Sequence, residues 1–226
     1  MRLFKTFATA FLIAALCACA SVPASISLDE NSNQGLIIIE ASTPRRDIQM
    51  PEFSLNIARY SDAENRLEAN SFGGWAQVNS AQRSLDGRYW LVARAQPGRY
   101  VVTALTHQSF WNACFNAGTR AFTVEAGKAT FLGRIDPTPS LLTMAMTLPH
   151  ATSTYVYALD QQMSFIGASE LGDWRPAVSE YLAVAFPNIT APLTDATSTP
   201  VTFNTGFDMT HTTRVCGGYY APVGAQ

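Results

Sequence analysis

Between residues 85 and 136 the chain repeats one pattern, a run of β-branched and aromatic residues followed by a turn signal. Asp86-Gly87 opens Arg88-Tyr89-Trp90-Leu91-Val92-Ala93, and Gln96-Pro97-Gly98 opens Tyr100-Val101-Val102-Thr103-Ala104-Leu105. After a polar interval come Arg120-Ala121-Phe122-Thr123-Val124, the break Glu125-Ala126-Gly127, and Thr130-Phe131-Leu132-Gly133-Arg134-Ile135. Branched and aromatic side chains pack well on a pleated surface, whereas Gly, Pro and Asp supply the backbone angles that turns require. The pattern predicts a mainly β chain, an antiparallel β-sandwich of about seven strands, with Val102 in its core.

The flanking segments extend this reading. Gly35-Leu36-Ile37-Ile38-Ile39-Glu40 is a continuous apolar run too short for a helix, hence a strand buried on both faces. Strict alternation in residues 53–60 places Phe53, Leu55 and Ile57 on one face and Ser54 and Asn56 on the other. Residues 61–71 read as loop, and Gly73-Gly74 suits a bulge or a close approach before the central block. After Asp136-Pro137-Thr138-Pro139 ends the last strand, residues 141–148 and 154–159 are further strand candidates, as is Val201-Thr202-Phe203. One helix is expected over 174–185, with Asp173 as its cap, Pro176 in its first turn, and a stripe of Val178, Tyr181, Leu182 and Ala185. That stripe must be buried, most simply against the sheet. The expected organisation is a leader at 1–18, a tether at 19–34, a sandwich domain at 35–137, and an appendage at 138–226 that carries the helix and an irregular tail.

The leader follows from charge and length. Arg2 and Lys5 precede an apolar stretch at residues 7–16, far shorter than the roughly 20 residues a spanning helix needs, so it reads as a signal peptide. Leu16-Cys17-Ala18-Cys19 resembles a bacterial lipobox, which makes Cys19 the first mature residue and the site of lipidation. Acyl chains contribute about 0.8 kcal/mol per buried methylene, so such an anchor, palmitate included, is effectively permanent. Ala20 follows Cys19 where an Asp would, in enterobacterial lipoproteins, favour retention at the inner membrane, so the resemblance implies the outer membrane, facing the periplasm. The competing site, Ala18-Cys19-Ala20, would instead release a soluble periplasmic protein beginning at Ser21.

Composition narrows the partners. Without Arg2 and Lys5, 13 basic residues face 17 acidic ones with no Lys/Arg block, so nucleic acid is not an expected partner. Arg45-Arg46 lies in a loop and reads as solvated charge. His107, His150 and His211 are too far apart for a zinc motif, and Gly167-Ala168-Ser169-Glu170-Leu171-Gly172 lacks nucleophile-elbow spacing, which leaves Ser169 a loop residue. No catalytic, cofactor-binding or metal-ligating residue is assigned, and no cofactor is expected. Trp75, Trp90 and Trp111 are candidates either for sugar stacking or for the core. Alternation places Trp90 with Arg88 and Val92, not with Tyr89 and Leu91, so one of these two faces must carry large side chains outward or against the helix.

Cys114 and Cys216 are the two thiols left once the leader is gone and Cys19 is acylated. In an oxidising periplasm two leftover thiols commonly pair, so a Cys114–Cys216 disulfide is expected.

The sequence Gly87-Arg88-Tyr89-Trp90, Pro97-Gly98-Arg99-Tyr100-Val101-Val102, Cys114-Phe115, residues 119–124, Gly127 and Leu132-Gly133 resembles an uncharacterised class of proteobacterial lipoproteins. Their small sandwich is similar to prealbumin-like and carboxypeptidase-regulatory β domains. The resemblance covers residues 35–137 and brings no catalytic motif. The resulting expectation is a lipid-anchored envelope protein with a structural or interaction role and without catalysis. The alternative is a binding module for envelope glycans or peptides, and the third reading is an enzyme of unknown class.

Overall fold

A computed structural model describes residues 26–42, 53–68, 77–79, 81–85, 88–107, 111–147, 157–203, 206–207 and 214–216. The leader, Cys19, Arg45, Arg46, Trp75, His150 and His211 lie outside them. Among the described residues the strands form a six-stranded sheet, a seven-stranded sheet and a two-stranded hairpin.

The six-stranded sheet is built around β1 (Gly35–Ala41), every residue of which is buried. On one side β1 pairs antiparallel with β6 (Arg88–Ala95), and β6 pairs with β5 (Ala81–Leu85). On the other side β1 runs parallel to β9 (Ala129–Ile135). The outer edge of β9 is then shared by β11 (Phe165–Gly167) and β12 (Leu193–Asp195). The seven-stranded sheet centres on β7 (Gly98–His107), which lies between β2 (Phe53–Ser61) and β8 (Trp111–Val124). β2 carries β3 (Arg66–Leu67) and β4 (Gln77–Asn79) on its far edge, and β8 carries β10 (Tyr157–Gln162) and β13 (Ser198–Val201).

These pairings correct the expected sandwich of about seven antiparallel strands. There are more strands, and β1/β9, β9/β12 and β8/β10 are parallel. Parallel neighbours need crossover connections, which long excursions through later sequence provide. Residues 138–226 accordingly supply strands to both sheets. The chain passes from β10 in one sheet to β11 in the other, and returns from β12 to β13. Met163 and Ala196, at these two crossings, join the apolar layer between the sheets.

That layer takes Ile37, Ile39, Leu91 and Leu132 from one sheet and Leu55, Ile57, Val102, Phe115 and Phe122 from the other. Val102 is fully buried. The alternate residues Leu36, Ile38, Trp90, Val92 and Phe131 form a second layer on the outer face of the six-stranded sheet. There the helix α2 (Arg175–Ala185) buries Val178, Tyr181 and Leu182. Trp90 stacks on Tyr181 with ring centroids 4.7 Å apart and planes 14° apart, and Trp174 meets Phe131 at 4.7 Å. The large face around Trp90 is thus occupied by the chain's own helix. Trp174, not Asp173, holds the N-cap position, with Pro176 in the first turn as expected.

The second helix, α1 (Thr138–Thr147), replaces the strand expected from residue 141. The Asp-Pro-Thr-Pro sequence that ends β9 also starts a helix. The Thr138 N–H donates to Asp136 Oδ1 at 3.0 Å, and Pro139 sits in the first turn, where a missing N–H costs no helical hydrogen bond.

The stretch read as a tether is partly packed. Ile26 and Leu28 are buried in the layer under α2, and the N–H groups of Thr190 and Ala191 donate to the Leu28 carbonyl. This segment crosses the β8–β9 turn at Gly127, whose φ of +65° suits glycine and where a Cβ would lie 2.2 Å from the Glu30 carbonyl oxygen.

The expected disulfide is present. Cys114 and Cys216 are bonded across 102 positions with Cα atoms 4.8 Å apart. Cys114 sits within β8, and Cys216 follows the hairpin of β14 (Gly206–Phe207) and β15 (Arg214–Val215).

Val102→Ala removes buried methyl groups and leaves a cavity, so the denaturation midpoint is expected to fall by the equivalent of about 1 to 3 kcal/mol. Tyr181→Ala on the buried stripe is expected to cost about 3 kcal/mol or more. Val184→Ala, on the exposed face of α2, should change stability by less than about 0.5 kcal/mol. Equal effects at positions 181 and 184 would contradict the packing of α2. In oxidised protein, alkylation should label neither Cys114 nor Cys216 until a reductant is added. Reduction should lower stability by no more than the roughly 4.7 kcal/mol of chain entropy that closing so long a loop represents.

Candidate functional site

The outer edge of β8 changes partner partway along its length. β10 runs parallel to it from Tyr157 opposite Trp111 to Gln162 opposite Gly118. β13 runs antiparallel, from Ser198 opposite Phe122 to Val201 opposite Thr119. The carboxyl ends of both strands therefore reach β8 at adjacent residues and leave it there. β8 is irregular at the same place. Two residues of β7, Val102 and Thr103, face the six residues 115–120 of β8 between the pairs Val101/Ala121 and Ala104/Cys114.

Backbone groups released by this bulge are paired elsewhere, as buried main chain requires. The Gly118 carbonyl accepts the N–H of Met163 at 2.8 Å, and the Asn116 carbonyl accepts that of Phe203 at 2.9 Å. The Thr119 hydroxyl donates to the Val102 carbonyl at 2.6 Å, and Asn116 Nδ2 donates to Asp160 Oδ1 at 3.1 Å. The bulge is thus held in one arrangement.

Over it opens a cleft of about 480 Å³. Gly118, Thr119 and Arg120 form the floor, Gln162, Met163 and Phe165 one wall, and Pro200, Val201 and Thr202 the other, with Asn65 at the rim. The volume falls within the range of about 300 to 1,000 Å³ typical of small-molecule sites. Gly118 leaves room for a neighbouring side chain: a Cβ there would lie 3.1 Å from Gln162 Cγ.

The rim is braced by the β2–β3 turn. Asn65 has φ +48°, a left-handed conformation that Asn adopts more readily than most residues, and its Oδ1 accepts the Tyr60 hydroxyl at 2.8 Å. Asn65 Nδ2 donates to the Thr202 carbonyl at 3.5 Å. Nearby, Arg99 pairs with Asp62 at 2.9 Å and donates to the Thr199 hydroxyl, which ties the turn to β13.

Arg120 is the charged group in the lining. Its guanidinium lies over the Phe165 ring, 5.9 Å from the centroid, a geometry that orients a cation without neutralising it. Arg59, Arg66, Arg99, Arg134 and Arg175 each face a carboxylate. Among the described residues no carboxylate pairs with Arg120. The remaining described lining offers amides, hydroxyls and apolar surface, so among the described residues the cleft presents one positive charge beside neutral hydrogen-bonding groups.

The residues singled out from the sequence lie elsewhere. His107 ends β7 opposite Trp111 and is half-buried. Ser169 is exposed in the 3-10 turn Ala168–Glu170, where the Gly167 N–H donates to Glu170 Oε1 at 3.2 Å. Trp90 is core. Among the described residues no group of three or more His, Cys, Asp or Glu is placed to hold a metal. The cleft is not legible in the sequence because its parts come from residues 65, 117–120, 162, 163, 165 and 200–202. The available signal was Ala117-Gly118, a small pair inside a strand.

Burial raises the hydroxyl pKa of both Tyr60 and Tyr100 above 10; at Tyr60 Asp62 adds to the effect and Arg99 opposes it, and at Tyr100 Arg59 opposes it and Glu68 adds to it. The folded state therefore holds these protons more tightly than the unfolded chain, and the associated stability is present below pH 10 and lost as pH rises above it. Thermal midpoints should decline above pH 10 and decline less steeply in Tyr60→Phe. An identical slope in that variant would show that Tyr60 carries no part of the alkaline loss. Compared with protein-family models, curated proteins and solved structures, the chain matches none of them.

Proposed function

We propose that this chain is a lipid-anchored, non-catalytic binding module of the bacterial cell envelope that takes a small polar ligand in the cleft over β8. The observation that carries this reading is the cleft: a braced opening of small-molecule size, with an arginine that no carboxylate of the described residues neutralises. The lining also supports binding over catalysis. Arg120 is the charged side chain among its described residues, and a guanidinium offers charge and hydrogen-bond donors with no acceptor.

The envelope location rests on the leader and on the resemblance to lipoproteins with a prealbumin-like sandwich. Cys19 carries the lipid, the outer membrane is the site of anchoring, and the folded part faces the periplasm. The Cys114–Cys216 disulfide is consistent with an oxidising compartment.

Two measurements test the proposal. Mass spectrometry of the mature amino terminus is expected to find an acylated Cys19, and Cys19→Ala should leave the membrane fraction. A terminus at Ser21 without acyl mass would point to the soluble periplasmic form. Amide spectra recorded while small saccharides and short peptides are added should shift at Gly118, Arg120, Gln162 and Val201. Spectra unmoved across that panel would remove the binding module and leave the structural role.

A further inference from the structure

Resting on the cleft as a binding site, we infer that its ligand carries a carboxylate and that Arg120 is the residue that selects it. One guanidinium faces the cleft, half-buried, and none of the described carboxylates offsets it. A charge held in a partly desolvated place is more stable with a counter-charge, and a monoanion matches it one for one. A phosphate dianion would leave excess negative charge. The described lining offers it neither a second cation nor a helix N-terminus.

Geometry adds to this. The Arg120 Cζ lies over the Phe165 ring, 5.9 Å from its centroid, and Phe165 itself packs against the core between the sheets. A guanidinium is a planar fork whose N–H groups match two oxygens in a plane, which is the shape of a carboxylate. Because the Phe165 face is taken by Arg120, it is not open for stacking a sugar ring. Recognition of the rest of the ligand therefore falls to Gln162, Asn65 and Thr202, whose amides and hydroxyl suit hydroxyl or peptide groups.

Two sources supply such a carboxylate, an acidic sugar and the free carboxyl end of a short peptide. They are distinguished by paired probes titrated calorimetrically into the full chain, with amide shifts recorded in parallel: glucuronate against glucose, acetyl-dialanine against its carboxamide, and inorganic phosphate. At least one acid is expected to bind about tenfold or more tightly than its neutral partner and than phosphate, with shifts at Gly118 and Gln162. Whichever acid responds names the source. Arg120→Gln should lose that preference, and Arg120→Lys should regain part of it, since lysine keeps the charge but not the fork. Thermal midpoints of the two variants show whether each is folded. Neutral partners that move the same amides with equal affinity would overturn the carboxylate while leaving the cleft a binding site. So would phosphate binding as tightly as the acids, or a folded Arg120→Gln with unchanged preference. Silence of the cleft amides to all five probes would overturn the inference together with the reading beneath it.

Discussion

The rest of the structure depends on β1 being apolar on both faces. A strand with Leu36 and Ile38 on one side and Ile37 and Ile39 on the other cannot leave either face of its sheet in water. Fully burying each such side chain is worth about 1.5 to 3 kcal/mol. One face is covered by the second sheet and the other by α2, which produces three layers. The Trp90–Tyr181 stack is the centre of the helix-side layer, and aromatic pairs of that kind add about 0.5 to 1.5 kcal/mol beyond area burial.

A second requirement concerns edges. An open strand presents unpaired N–H and C=O groups to other chains, and two stacked sheets have several such edges. Here the chain covers one side of the stack by crossing between sheets twice, from β10 to β11 and from β12 to β13. Since β8 and β9 each accept two short partners in place of one long one, there is a junction on each. At β9 the junction is tight. Gly133 has φ +138°, and a Cβ there would lie 2.2 Å from the Ile166 carbonyl oxygen. At β8 the strand bulges, the two partners diverge, and the cleft opens. The candidate site is thus a consequence of how the sheet edge is covered.

The disulfide and the amino-terminal segment act on the periphery of this frame. Cys216 fastens the end of a short hairpin to a fully buried position in β8, and Leu28 bridges to Ile189 beyond α2. Both attach late or early sequence to strands that are already fixed by the core. Two hairpin strands of two residues each would have little stability by themselves, which is why a covalent link matters there.

Local sequence alone determined α2 and the strands β1, β2, β6, β7 and β9. Period-two alternation, the Gly/Pro punctuation of residues 85–136 and the stripe Val178, Tyr181, Leu182 each reflect a preference that operates within one element. Cys114 and Cys216 were legible as a pair by count. Strand partners were not legible, because register and parallel pairing are set by contacts between residues a hundred positions apart. Nor was α1, where Asp136-Pro137-Thr138-Pro139 serves equally as the end of a strand and the start of a helix. The cleft was decided by tertiary structure: Arg120 reads in the sequence as one more residue of a strand, and becomes a candidate binding group only because β10 and β13 end on either side of it without bringing a carboxylate.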